Sequence, residues 1–144
     1  MKKILTLTLA LALAVAVFAQ EKDCVFDPTN FAATITEMTP MRYASRQVTE
    51  FSFAIEGDTA NVYLPYMGEV YTPRLDNEGL NFKAEYTDLK VKRNNKQCST
   101  ELRFNIRRGT ITYKFQLTAF DRRNLDIYLQ PSNAQACRYS GYLE

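Results

Sequence analysis

The side chains that carry most protein chemistry are thinly supplied in this chain. There is no histidine, which removes Ser-His and Cys-His nucleophilic machinery, the usual zinc sites and imidazole proton transfer. Three cysteines, Cys24, Cys98 and Cys137, lie too far apart in sequence to form a metal knuckle, and no Gly-rich phosphate loop is present. No metal and no cofactor are expected. Carboxylates remain: Glu56 and Asp58 flank one short turn, Asp121 and Asp126 another. Such a pair can hydrolyse a glycosidic bond only when it faces across a cleft, and carboxylates on turns are ordinarily solvated. The expectation is a protein that is not an enzyme.

The compositional excess is aromatic, with nine tyrosines and nine phenylalanines. Many belong to strand packing, because aromatic side chains favour sheets. Tyr63, Tyr66 and Tyr71 are different. They close a strand at Tyr63-Leu64-Pro65-Tyr66 and enter the long irregular connection 67–79, where tyrosine can offer area plus a polar tip to a ligand. Basic residues concentrate downstream, with eleven basic and four acidic side chains in 83–123. Lys92, Arg93, Lys96, Arg122 and Arg123 fall on two turns expected at one end of the sheet. Arg122 and Arg123 are the candidate anion contacts. Solvated, edge-protecting turn tips are the plainer reading of the same residues.

The elements that would position these groups are strands. From Met41 onward the apolar period is two. Phe51, Phe53 and Ile55 alternate, Gly57-Asp58 turns the chain, and pairing Glu56 with Thr59 puts Phe53 opposite Val62 and Phe51 opposite Leu64 on one face. Leu102, Phe104 and Ile106 alternate next. A turn at Arg108-Gly109 would pair Arg107 with Thr110 and Phe104 with Tyr113. Leu125, Ile127 and Leu129 follow after a three-residue loop, most simply Arg122-Arg123-Asn124. Upstream, Leu80, Phe82, Ala84 and Tyr86 alternate and Leu89 and Val91 follow, and the last strand runs from about Ala136 to Leu143. This is an all-β antiparallel meander of about eight strands, closing into a barrel or barrel-like sandwich. It occupies 41–144, with 20–40 as an arm packed on it.

The first nineteen residues form a signal peptide. Lys2 and Lys3 precede an apolar run over 4–17, and Val17-Phe18-Ala19 offers small residues for cleavage before Gln20. The run is shorter than the roughly 20 residues that span a bilayer. Glu21-Lys22-Asp23 ahead of Cys24 does not suit lipidation. The expected product is exported, periplasmic or extracellular, without a lipid anchor or a membrane span. Cleavage takes away two of 18 basic residues against 16 acidic ones, so the mature domain is neutral and nucleic acid is not an expected partner. In an oxidising compartment three cysteines allow three pairings, of which Cys24–Cys137 is the preferred one.

The spacing Gly57-Asp58-Thr59, Tyr63-Leu64-Pro65-Tyr66, Gly68 and Tyr71, followed by Tyr139-Ser140-Gly141-Tyr142-Leu143, resembles a family of exported Bacteroidetes proteins catalogued as domain of unknown function 4251. The resemblance covers about residues 25–144 and implies export and a β-rich domain, with no catalytic residue carried over. It also implies that Asp58-Thr59-Ala60 is similar to a short O-glycosylation sequon, with Thr59 as acceptor. The leading functional expectation is non-catalytic binding of a small apolar, glycan or peptide ligand in the cell envelope. The alternative is a structural or protein-partner module acting through an exposed strand edge.

Overall fold

Alternating apolar residues wind the chain into nine strands: β1 (Asn30–Pro40), β2 (Arg46–Glu56), β3 (Thr59–Tyr63), β4 (Asn81–Glu85), β5 (Thr87–Asn94), β6 (Ser99–Arg108), β7 (Ile111–Phe120), β8 (Asn124–Pro131) and β9 (Cys137–Leu143). This computed structural model describes residues 26–66, 80–120 and 123–144. Residues 1–19, expected to be a signal peptide, and Cys24, Tyr71 and Arg122 lie outside the described residues. Every pairing is antiparallel, in the order β4-β3-β2-β1-β9-β8-β7-β6-β5. The sheet curls into a nearly closed barrel. Among the described residues no helix is long and apolar enough to cross a membrane.

The two ends of that order are halves of one stretch of chain. β4 runs beside β3, the pairing breaks at Tyr86, and β5 continues beside β6. Sequence alternation runs through Leu80, Phe82, Ala84 and Tyr86 with Leu89 and Val91 following; the structure divides this stretch into β4 and β5 and makes β1 from the expected arm, giving nine strands where about eight are expected. Asp88 takes the left-handed conformation at φ 59° within a register irregularity, which Asp tolerates better than most residues. The Tyr86 amide donates to Asp58 O at 3.1 Å, and the Tyr86 hydroxyl donates to Gly57 O. The switch of partners is thereby tied to the β2–β3 turn.

Both glycine turns hold the glycine at the first central position of a two-residue loop, Gly57 at φ 64° and Gly109 at φ 63°. A positive φ there matches the twist of the flanking strands. The first hairpin has the expected register, Glu56 opposite Thr59 and Phe53 opposite Val62. The second turns at Gly109-Thr110, so Arg107 faces Thr112 and Phe104 faces Phe115. The expected pairing is off by two residues, which leaves the inward face unchanged. The next loop is also three residues, but at 121–123, with Phe120 opposite Asn124.

Residues 30–40, read from sequence as part of an arm, form the strand between β2 and β9. A bulge between Ile35 and Glu37 shifts the inward positions from Ala33 and Ile35 to Met38 and Pro40, which hides the period. Gly141 lies opposite Ile35 beside that bulge. A Cβ there would run into the Thr34 carbonyl and stand 3.0 Å from Ile35 Cα, so β9 can approach β1 only without a side chain.

Inside, the barrel is filled. Phe53 from β2 stands 6.3 Å from Phe104 and 5.7 Å from Phe115, whose rings stack on each other at 5.2 Å. β2 is not a neighbour of β6 or β7 in the sheet, so the contacts of Phe53 cross the interior. Phe82 packs on Tyr113 at 5.3 Å, and the Arg108 guanidinium lies 4.2 Å from the Phe82 ring centre. Aromatic packing thus joins β4 to β6 and β7 where no strand pairing closes the wall.

Candidate binding face

Because successive side chains alternate across a strand, a filled apolar interior fixes what the outer face must carry. Over β5 to β9 that face is a grid of polar side chains in register. The central row runs Lys90, Arg103, Gln116, Tyr128, Arg138 and then Thr39 of β1. On one side lie Thr87, Asn105, Lys114 and Gln130. On the other lie Lys92, Glu101, Thr118, Asp126 and Ser140. Tyr128 is the only aromatic among them.

Two grooves lie in this face. One, of 570 Å³, is lined by Asp88, Lys90, Arg103, Asn105, Lys114, Gln116, Tyr128 and Gln130, together with Phe104 and Phe115. The other, of 380 Å³, runs over β7, β8 and β9 and includes Thr118, Asp126, Arg138 and Ser140. Gln116 and Tyr128 line both, so the grooves adjoin. Neighbouring contacts hold several side chains in place. Arg103 Nε donates to Glu101 Oε1 at 2.6 Å, Asn105 Nδ2 donates to Asp88 Oδ2 at 3.4 Å, and the Arg138 guanidinium stands 5.4 Å from the Tyr128 ring centre. The Tyr128 hydroxyl donates to Gln130 Oε1 at 3.4 Å.

Of the residues singled out from sequence, the described ones, Tyr63, Tyr66 and Arg123, are not gathered into one site. Tyr63 is 41% exposed on the outer face, with its ring 5.1 Å from Phe51. Tyr66 is half-buried, and its hydroxyl donates to Gln135 O at 2.8 Å. The neighbouring Tyr139 hydroxyl donates to Pro65 O at 2.7 Å. These two bonds lash the end of β3 to the β8–β9 connection. Arg123 sits at the opposite end of β8, where its carbonyl accepts from the Leu143 amide at 2.7 Å. A strand of eight residues, about 26 Å long, separates the Gln135 end from the Arg123 end. Tyr66 and Arg123 therefore do not share a site. The two basic turns do adjoin at one end, as expected, through Asn94 opposite Ser99, Ser99 opposite Phe120 and Phe120 opposite Asn124.

Cys137 is a free, buried thiol, which overturns the expected Cys24–Cys137 bridge. Its sulfur lies in the β1–β9 interface, 3.7 Å from Thr39 O. Cys98 is disulfide-bonded. Burial pushes the Cys137 thiol above its ordinary value, and burial pushes the Tyr139 phenol upward too, with Cys137 and Tyr66 adding to the effect. Both groups are neutral members of the core. The turn carboxylates are occupied at the surface: Glu56 meets Lys83 at 3.8 Å, and Asp58 accepts from the Thr59 hydroxyl at 3.0 Å. Thr59 itself is half-buried beside the exposed turn.

The grid was legible in principle. Its members occupy the outward parity of the same strands whose inward parity defines the core. Aromatic residues at strand ends and arginines on turns draw the eye first.

A nearly closed antiparallel meander with a filled core and a polar outer grid is the class of protein that fold and site define. Residues 18–143 match the family described as Domain of unknown function (DUF4251), and the chain belongs to that family. No curated protein matches the chain.

Proposed function

We propose that this is an exported, non-catalytic envelope protein that binds a glycan on the outer face of β5 to β9. The observation that carries the reading is the in-register polar grid around Tyr128, with its two adjoining grooves. Planar amides and guanidinia can bond paired hydroxyls, and a lone aromatic ring offers a stacking face for a sugar. The filled interior favours this face over a lumen, and its polarity favours a glycan over a small apolar ligand. A protein partner would be better served by large apolar anchors in the grooves, and the exposed Phe120 and Tyr142 of this face line neither groove. Strand addition at β5 is the second reading, since β5 is paired on one side only. The bulge at Asp88 and the side chains of Lys90, Lys92 and Arg93 are features that discourage such pairing.

The test is binding of the purified domain to immobilised oligosaccharides, with Tyr128→Ala as the variant. Binding lost in the variant, with the unfolding temperature unchanged, supports the reading. Absence of binding to every saccharide, or full binding by the variant, overturns it. The export part has its own measurement, the intact mass of protein from its native host. A chain beginning at Gln20 supports cleavage, and an uncleaved chain overturns it. The same spectrum reads whether sugar is added, as proposed for Thr59.

A further inference from the structure

The groove over β5 to β8 has an uneven charge, and this bears on what it holds. Lys90, Arg103 and Lys114 line it against one carboxylate, Asp88, which already accepts from Asn105. Lys90 and Arg103 are direct cross-strand partners, and Lys114 lies opposite Asn105 in the next row. Two like charges placed opposite each other on a sheet are destabilising. The ion pair of Arg103 with Glu101 at 2.6 Å offsets part of that cost, and a bound anion would recover more of it. Glu101 meets Arg103 through Nε, which fixes the guanidinium plane beside the groove. The adjoining groove differs: Asp126 and Arg138 offset each other there, among Thr39, Thr118 and Ser140.

We infer that the ligand is an acidic oligosaccharide whose anionic unit sits between Lys90, Arg103 and Lys114 while a neutral unit lies over Tyr128, Asp126 and Arg138. This rests on the glycan reading above and adds the charge and the direction in which the chain of sugars lies. From β5 to β9 the face spans about 19 Å at the usual strand spacing, which calls for an oligomer. A guanidinium and two ammonium groups suit a carboxylate or a sulfate, both of which accept charge-assisted bonds. A nucleic acid strand would want several stacking rings along its path, and the grid has one.

The experiment measures binding of the full domain to backbone-matched pairs: uronate oligosaccharides against their methyl esters, and sulfated against desulfated oligosaccharides. Polyglutamate serves as a sugar-free polyanion. The expected result is a preference of about tenfold or more for the acidic member, weakening as salt is raised. The double variant Lys90→Gln/Lys114→Gln should erase that preference and leave the weak binding of the neutral member intact. Which pair shows the preference tells carboxylate from sulfate. Equal binding of acidic and neutral members overturns the inference while leaving the glycan reading standing. Equal binding of polyglutamate overturns it as well, reducing the groove to a general anion site. No binding to any saccharide overturns both. Lys90 and Lys114 are exposed, so the double variant should fold, and an unchanged unfolding temperature checks that it has.

Discussion

Tyr139 and Cys137 set how this molecule responds to base. Their ordinary values are 10.0 and 9.0, and burial raises both in the folded chain. Below the ordinary values both are neutral whether folded or not, and they contribute no pH dependence. As pH rises past about 9, the unfolded chain loses these protons while the folded chain keeps them, so stability falls. Urea midpoints should be flat from pH 6 to 8 and decline from about pH 9 upward. Tyr139→Phe should shallow that decline. It should also cost about 1–3 kcal/mol at neutral pH by leaving Pro65 O without its donor. A thiol reagent should find Cys137, 2% exposed, only after unfolding. None of this could be read from the sequence, because the period-two rule places Cys137 inward without saying whether its partner is another cysteine or a packed wall.

Two kinds of glycine separate at the same scale. Gly109 has nothing within 4 Å of a would-be Cβ but a φ of 63°, so Gly109→Ala should cost about 1–2 kcal/mol through backbone conformation alone. At Gly141 the obstacle is the Thr34 backbone. Gly141→Ala should therefore cost about 1–3 kcal/mol and also disturb the β1–β9 pairing, visible as faster amide exchange in β9. The Gly109 variant should leave those amides unchanged.

Elements show which parts of a meander a sequence can specify. In the first hairpin parity leaves neighbouring two-residue turns open as well, and Gly57-Asp58 is picked out by glycine at the first turn position. The second admits two turns of equal parity, Arg108-Gly109 and Gly109-Thr110. The alternation alone does not choose between them, and the preference for glycine at the first turn position does. β1 escapes notice because its bulge breaks the count midway, between Ile35 and Glu37. The core strand β2 is the place to test packing: Phe53 touches Phe31, Phe104 and Phe115, and Phe53→Ala should cost about 3–5 kcal/mol by chemical denaturation. The outer grid was less legible than the core for a related reason. Its members are unremarkable one by one, and only the cross-strand registers align Lys90, Arg103, Gln116, Tyr128 and Arg138 into a row.

For the whole molecule, composition gave the broad class and topology supplied the rest. Neutral charge after the expected cleavage conceals a basic β5–β7 region, and the registers turn that region into one side of a groove. The barrel closes without a complete ring of strand pairs. Aromatic contacts, Phe82 with Tyr113 and Tyr86 with Phe104 at 5.2 Å, span the place where pairing lapses.

The partner switch at Tyr86 has a bearing on how the chain can be divided. β1 and β9 hold the described ends together, the Glu144 amide donating to Ala32 O at 2.9 Å, and the other join between the two halves of the wall is the peptide backbone around Tyr86. Cutting there would leave two fragments joined by the β1–β9 ladder alone, with only side chains across the seam between β4 and β5. A cut at Ser132, inside the β8–β9 connection, would leave its flanking strands paired along their full length. Co-expressed pieces split at Ser132, where β9 pairs on both sides, should rejoin into a folded barrel more completely than pieces split at Tyr86, as the yield of the reassembled complex would show. The short stretch that looks in sequence like an ordinary strand is thus the one place where chain continuity itself serves as a structural bond.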